Sequence, residues 1–181
     1  MTAGAKSTQH PVWSVYDRMR TARLNVKYFG RRLQAVERTS FCLDVILFAT
    51  APSSAVAGLW FWHSDYGQIA WNFVAVPAAA AAVVKPLLNL TKRIKDYEGV
   101  LAGYRTLEFD LMEIKTMIEQ KQSYDQAQEG EFRKALTREK ALVAKNPEPR
   151  ENIRVKKACE AEVLKELPPE AFFVPGVDDG A

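Results

Sequence analysis

Two ionisable residues lie inside otherwise apolar stretches of the sequence, and they are the first candidates for a chemical role. Asp44 stands near the start of an apolar segment over 41–62, and Lys85 stands near the end of a second one over 69–90. If these segments fold back on each other as antiparallel helices, the two residues come within roughly 3 Å of the same depth. They could then form an ion pair, within or between subunits, or each extend to the polar headgroups of a membrane. The sequence leaves both interpretations open.

Two prolines and three polar residues occupy the middle of the same segments. Pro52 and Pro77 stand at mirrored positions, which places them at a common depth in an antiparallel pair. A static kink with ordinary packing accounts for them, and so does a hinge in an oligomeric pore. For a pore, the candidate polar lining consists of Ser53, Ser54 and Asn72.

The residue types that enzymes use for nucleophilic, acid–base or metal chemistry are present but are not arranged for it. His10 and His63 fall on opposite sides of the first apolar segment, and Cys42 and Cys159 are neither paired nor near a histidine in the sequence. We find no metal-ligand spacing, no phosphate-binding glycine loop and no nucleophile elbow. The sequence therefore predicts a protein that is not an enzyme and that uses no cofactor or metal.

A run of cations before the first apolar segment is a candidate binding patch. Its members are Arg18, Arg20, Arg23, Lys27, Arg31 and Arg32. They favour contact with anionic lipid, and the alternative is a phosphate-bearing ligand held together with Tyr16 and Tyr28. The whole chain has 25 basic and 22 acidic residues, a net charge of +3. This near balance argues against a nucleic-acid polymer as the partner.

The two apolar segments have the length and composition of membrane spans. Each contains 22 residues, which at about 1.5 Å per residue cross a hydrocarbon core of about 30 Å. Residues 45–62 and 66–84 carry no charge. The connection over 63–68 is short, so the segments predict a tight antiparallel hairpin. A pair of buried helices in a soluble bundle is the alternative, but such helices usually show a polar stripe, which is lacking here.

The charges outside the spans predict the orientation of the hairpin. Lys and Arg are abundant in residues 1–39 and again from Lys92 onward, whereas the short connection has none. By the positive-inside rule, both termini are cytoplasmic. Trp60, Trp62 and Trp71 flank the connection, as expected for an aromatic belt at the outer interface.

Both flanks of the hairpin show the apolar rhythm of helices that pair along a seam. The first seam comprises Val15, Met19, Ala22, Val26, Phe29, Leu33 and Val36. The second seam comprises Leu90, Ile94, Tyr97, Leu101, Tyr104, Leu111 and Ile118. The sequence therefore predicts an all-α membrane protein, in which a two-span antiparallel transmembrane hairpin is flanked by cytoplasmic amphipathic helices that form a coiled-coil-like bundle. The seams also offer a surface for assembling several copies.

Glycine and proline predict the remaining boundaries. Residues 1–11 are expected to be flexible, and a cytoplasmic helix to cover 12–39. Gly130 is expected to interrupt the cytoplasmic helices of 91–145. The shorter apolar stripe that follows consists of Phe132, Leu136 and Val143.

The C-terminal part is predicted to hold one more helix, within 146–167. Pro149 is placed to begin this helix, and Pro168 and Pro169 are placed to end it. The tail 168–181 shows no helical period and is expected to be loose. The alternative is that Phe172, Phe173 and Val174 dock on a partner or on the protein's own bundle.

The layout of these features resembles the SLATT group of bacterial proteins over about residues 12–145. The matching features are the Arg-rich helix VYDRMRTARLNVKYFGRRL, Ser40 just before the first span, the two-span hairpin with its very short loop, and the tyrosine-containing helix KRIKDYEGVLAGYRTLEFDL. The resemblance implies an effector in the bacterial inner membrane that acts in conflict and nucleotide-signalling systems. It implies that a cytoplasmic sensor protein or a nucleotide signal triggers the effector to open a pore or perturb the membrane. Residues from about 146 onward fall outside the resemblance.

With the role that the resemblance implies, the expectation is an effector that acts on the lipid bilayer. It is expected to be a homo-oligomer, because one hairpin cannot enclose a pore. A cytoplasmic ligand or partner is expected to favour one packing of the seams, and this change in packing is expected to alter the conformation of the hairpin. The competing hypothesis is a non-conducting membrane anchor or scaffold whose cytoplasmic helices bind a soluble partner. It predicts that substituting Asp44, Lys85, Ser53 or Ser54 leaves activity intact.

Overall fold

The computed structural model describes residues 10–49 and 79–175, and the regular structure of these residues is helical throughout. In order along the chain, the helices are α1 (Val12–Ala49), α2 (79–88), α3 (Leu90–Lys121), α4 (Gln126–Ala144), α5 (Ile153–Glu166) and a single 3-10 turn (Pro169–Ala171). The all-α part of the predicted fold class is therefore confirmed for the described residues.

The predicted hairpin lies mostly outside the described residues, because the two spans, 41–62 and 69–90, include residues 50–78. Over 10–49 and 79–175, none of the helices combines the length and the apolar composition that crossing a membrane requires.

The chain divides into two compact units. The first consists of Met1–Arg31 together with Glu98–Ala181, and the second is Arg32–Tyr97. Because α1 and α3 each cross this boundary, both helices contribute residues to both units.

The predicted seams form much of the core of the first unit. Val15 and Phe29 of α1 and Leu101 and Tyr104 of α3 are buried. The rings of Phe29 and Tyr104 stack with their centroids 5.5 Å apart. Burial of each such side chain contributes about 1.5–3 kcal/mol, so this face orients α1 and α3. The seam residues of the first unit thus pack within a single chain.

The break between α3 and α4 lies at Gln122–Asp125, and the predicted break at Gly130 is wrong. Gln122 adopts a φ of 52°, in the left-handed region that commonly ends a helix. The carboxylate of Asp125 accepts hydrogen bonds from the backbone N–H groups of Ala127 and Gln128, and the Gln128 side chain accepts one from the Asp125 N–H. This capping box starts α4 before Gly130, which therefore lies inside the helix.

The buried stripe of α4 consists of Phe132, Ala135 and Leu142, with Gln128 in the first turn. Val143 was expected in this stripe and is instead 59% exposed, because the helix turns the neighbouring Leu142 toward α3. Gly103 of α3 provides the space for that side chain, since a Cβ at this position would overlap Leu142.

α5 begins at Ile153 rather than at Pro149. Asn152 is its N-cap, because the Asn152 side chain accepts a hydrogen bond from the Val155 N–H at 3.2 Å. Only Cys159 and Val163 of the helix are buried. In the tail that follows, Phe172 is buried, so residues 168–175 adopt the arrangement that docks on the protein's own helices.

The second unit combines the end of α1, α2 and the start of α3. Val36, Ala81 and Tyr97 are buried in it. Asn89 interrupts the helix between α2 and α3 with a φ of 45°, a conformation that asparagine tolerates better than most residues.

Candidate functional site

A row of cations runs along one face of α1 in the first unit. The basic row consists of Arg20, Arg23, Lys27 and Arg31. Spacings of three, four and four residues place these side chains on one face of a helix. The same periodicity places Arg18 and Arg32 on another face. The predicted patch of six cations is therefore divided between two faces of α1.

Two glutamates of α5 lie opposite the basic row. Glu162 and Glu166 are four residues apart, which is also the spacing between Lys27 and Arg31. The two buried residues of α5 stand next to this pair in the helix and hold that face toward the bundle. The apolar stripe of α5 thus determines which charges meet α1.

The ion pairs between the helices overlap, so most of the charged groups have two partners. Lys27 Nζ lies 2.7 Å from Glu166 Oε1 and 3.4 Å from Glu162 Oε2, and Arg31 donates to Glu162 Oε1. Arg23 Nε lies 3.0 Å from Glu166 Oε2. The Nη1 atom of the same arginine lies 2.9 Å from Oε1 of Glu108, a residue of α3. The network therefore joins α1, α3 and α5.

The network lowers the pKa of both α5 carboxyl groups. A hydrogen bond from Arg31 lowers the pKa of Glu162, and one from Lys27 lowers the pKa of Glu166. The hydrogen bond to Glu166 in turn raises the pKa of Lys27. Since both glutamate side chains remain 41% exposed, solvent screens each pair, and the pairs contribute more to position than to stability.

A buried hydrogen bond fixes the connection that leads from α4 to α5. The Tyr28 hydroxyl donates to the carboxylate of Glu148, which is only 8% exposed. The same hydroxyl accepts a hydrogen bond from the backbone N–H of Asn152 at 2.8 Å. Tyr28 therefore holds the residue from which α5 begins.

The other end of α5 is fixed by aromatic contacts with α1. Phe172 stacks on Tyr16 with ring centroids 4.3 Å apart, and the Tyr16 hydroxyl donates to the Phe173 carbonyl at 2.6 Å. Burial, with a contribution from the charge of Glu119, raises the pKa of Tyr16 to about 12. Arg20 donates from Nε to the Leu167 carbonyl at 3.0 Å.

A cleft of about 360 Å³ opens beside the network. It is lined by Met19, Arg23, Glu108, Met112, Lys115, Glu166 and Leu167. Its two cations are balanced by two carboxylates, both of which bond Arg23. These carboxylates already occupy the Nε and Nη1 atoms of Arg23.

In the second unit the structure brings Asp44 and Lys85 together. The Lys85 ammonium donates to the Asp44 carboxylate, so these two residues form an ion pair. In the first unit, Arg18 pairs with Glu139 of α4 at 3.1 Å. Arg32 is half-buried.

The candidate hinge and pore-lining residues lie outside the described residues. They are Pro52, Ser53, Ser54, Asn72 and Pro77.

Sequence reasoning missed the acidic half of the site. Glu108, Glu162 and Glu166 were not among the candidate residues chosen from the sequence, yet all three bond the basic row. The shared four-residue spacing of the α5 glutamates and of Lys27 and Arg31 was the available signal. This spacing identifies two helix faces of complementary charge. It does not predict that the two faces meet, because their residues are more than 130 positions apart in the sequence.

Within the described parts of the chain, no three His, Cys, Asp or Glu side chains converge on a point where they could hold a metal ion. No protein-family model matches the sequence, and comparison with curated proteins and with solved structures finds no match. The function is therefore argued from the residues themselves.

Proposed function

We propose that the chain is an oligomeric bacterial membrane effector, in which the helical bundle of the first unit controls a hairpin that disrupts the bilayer. The observation that carries the proposal is the apolar surface of α1 and α2 beside residues 50–78. The large exposed apolar side chains there are Phe41, Val45, Phe48, Val83, Val84, Leu87 and Leu88. Phe48 is 79% exposed and Leu87 75% exposed, and in water such a surface is unfavourable. Lipid would cover it.

The contact between Asp44 and Lys85 supports the antiparallel hairpin. These residues flank 50–78 on its two sides, so their ion pair joins the ends of the chain that enter and leave this segment. The uncharged stretches over 45–62 and 66–84 provide the apolar length that a hairpin needs. The resemblance of residues 12–145 to the SLATT group supports the same role in bacterial conflict systems.

The proposed mechanism is a shift between two packings of the bundle. A cytoplasmic sensor protein or a nucleotide signal stabilises one packing, and α1 and α3 transmit the difference because each crosses from the first unit into the second. Several copies act together, since two helices cannot surround an aqueous path.

The first test measures location and leakage in bacterial cells that express the chain. We expect the chain in the membrane fraction and a loss of membrane potential under activating conditions. Asp44→Asn and Lys85→Gln should each reduce the depolarisation, whereas the exchanged variant Asp44→Lys/Lys85→Asp should restore part of it. Lys92→Gln, at an exposed position of α3, is the matched control and should leave the depolarisation unchanged. Recovery of the chain in a detergent-free supernatant would contradict the proposal.

The second candidate function is a non-conducting anchor that binds a soluble partner. An exposed apolar surface on α3 favours it, because Phe109 is 69% exposed and Met112 45% exposed on one face. The anchor predicts that the Asp44 and Lys85 variants keep full activity and that no depolarisation occurs. A Phe109→Ser variant that loses activity in such cells would then identify this surface as the binding site.

A further inference from the structure

Most of the cations that were expected to contact anionic lipid are paired within the chain. Arg23, Lys27 and Arg31 bond glutamates of α5, and Arg18 bonds Glu139 of α4. An anionic headgroup therefore finds these four side chains already occupied. A contact with lipid has to be sought among cations that the bundle does not use.

Arg38, in the second unit, is such a cation. Its side chain is exposed and makes no ion pair with any residue of 10–49 or 79–175. The positions three and four residues from it in either direction hold Gln34, Ala35, Phe41 and Cys42. None of these is a carboxylate, so α1 itself supplies no partner for the guanidinium.

A stripe of exposed apolar side chains continues from Arg38 along the same face of α1. Phe41, Val45 and Phe48 follow it at spacings of three, four and three residues, and they are 69%, 48% and 79% exposed. Such spacings place side chains on one face of a helix. This face therefore changes from cationic to apolar within a single turn.

The order and the length of this face match those of a phospholipid. From Arg38 to Phe48 the helix rises about 15 Å, which is about half the thickness of a hydrocarbon core. A guanidinium binds phosphate oxygens through two parallel hydrogen bonds, and acyl chains cover apolar side chains. A soluble phosphate could meet the guanidinium but would leave the apolar stripe in water, which is unfavourable. The two halves of the face together thus favour a lipid.

We propose that the face of α1 formed by Arg38, Phe41, Val45 and Phe48 binds an anionic phospholipid. The phosphate lies at the Arg38 guanidinium, and an acyl chain lies along the three apolar side chains. This lipid face rests on the proposed function, because it requires α1 to enter the bilayer. It places the boundary of the hydrocarbon between Arg38 and Phe41, so that Asp44 lies about one turn inside it.

Lipid binding to the full-length chain in detergent micelles tests the lipid face. Native mass spectrometry measures the affinities for phosphatidylglycerol, which is anionic, and for phosphatidylcholine with the same acyl chains, which has no net charge. We expect Arg38→Gln to reduce the ratio of the two affinities about five-fold. This factor corresponds to the contribution of about 1 kcal/mol that one cation makes near an anionic lipid surface. An unchanged ratio would overturn the proposal.

Lys92→Gln is the matched control for the charge. Lys92 is an exposed cation of the same unit, but Lys95 and Asp96 stand three and four residues after it on α3, so no apolar stripe continues from it. We expect this variant to keep the ratio of the parent chain. A reduction equal to that of Arg38→Gln would show a general effect of charge and would overturn the assignment of the phosphate to Arg38.

Two further measurements test the apolar half of the lipid face. Phe41→Ser/Phe48→Ser should weaken the binding of both lipids several-fold and leave their ratio unchanged, and circular dichroism verifies that the variant keeps its helices. Full affinity of this variant for both lipids would overturn the acyl-chain contact. Glycerol 3-phosphate, which carries a phosphate without acyl chains, should not bind at concentrations that saturate the chain with phosphatidylglycerol. Equally tight binding of glycerol 3-phosphate would assign Arg38 to a soluble ligand instead of a lipid.

The outcome can be separated from that of the proposed function. Depolarisation of cells by a chain whose lipid preference does not depend on Arg38 leaves the effector in place and overturns the lipid face alone. A preference that depends on Arg38, in a chain that never depolarises cells, supports the lipid face and overturns the effector.

Discussion

Tyr28 combines a packed aromatic ring with a hydroxyl that bonds a buried carboxylate. Its ring packs edge-on against Phe29 with centroids 5.2 Å apart, while its hydroxyl reaches Glu148 and Asn152. The hydroxyl is therefore both a donor and an acceptor at one point of the core. Burial removes water from a carboxylate, and hydrogen-bond donors in the protein offset the resulting cost in free energy. When such a donor is removed, that cost is no longer offset.

Removing this hydroxyl should destabilise the fold even though the ring remains. For Tyr28→Phe we expect a loss of about 1–3 kcal/mol in the free energy of unfolding, because Glu148 is left buried with one donor fewer. Chemical denaturation followed by circular dichroism measures the loss. Tyr124→Phe is the control, since Tyr124 is half-buried and its hydroxyl makes no hydrogen bond within the described residues. Equal stability of the two variants would show that the Tyr28 contact contributes little.

The helices were predictable from the sequence where local patterns determine their positions. They were less predictable where contacts between distant residues determine them. The seams of α1 and α3 follow from apolar spacing alone, and their buried residues bear this out. The start of α4 was also readable, because Asp125 and Gln128 form a capping box three residues apart. Gly130 misled the prediction, since one glycine costs a helix only about 1 kcal/mol.

Two glycines of α3 offer a matched test of how this helix packs on α4. Gly103→Ala should lower the free energy of unfolding by up to about 2 kcal/mol, because the new methyl group overlaps the Leu142 side chain and forces it to move at a cost of about 1–3 kcal/mol, of which the helix propensity of alanine offsets about 1 kcal/mol. Gly99 lies one turn earlier, and a Cβ added there would have no atom within 4 Å. Gly99→Ala should therefore raise the free energy of unfolding by about 0.5–1 kcal/mol, because alanine has the higher helix propensity.

The double variant Gly103→Ala/Leu142→Ala tests the cause of that loss. If the overlap with Leu142 is responsible, the loss in the double variant is smaller than the sum of the two single losses. Simple additivity in the denaturation series would place the origin of the effect elsewhere in α3.

At the scale of the whole molecule, charge pairing across distant positions is what the sequence could not supply. The basic row was recognised as a set of cations, but its partners on α5 come after Pro149, in the part that the SLATT resemblance does not cover. In a single sequence, an acidic helix face that is exposed to solvent cannot be distinguished from one that pairs with a basic helix, because the acidic residues have the same spacing in both cases. Only the apolar stripe of α5, through Cys159 and Val163, selects between them.

The contribution of this pairing to stability should disappear in acid. Because Arg31 and Lys27 lower the pKa values of Glu162 and Glu166 in the folded chain, the stabilisation is complete above the ordinary glutamate pKa of 4.5 and is lost as pH falls through the lower folded values. Thermal unfolding midpoints should therefore differ between the parent and Glu162→Gln/Glu166→Gln near neutral pH, and converge in acid. Glu160→Gln/Glu170→Gln removes the same charge at exposed positions and should show no such convergence. A gap between parent and Glu162→Gln/Glu166→Gln that persists unchanged in acid would mean that α5 is held by its apolar contacts alone.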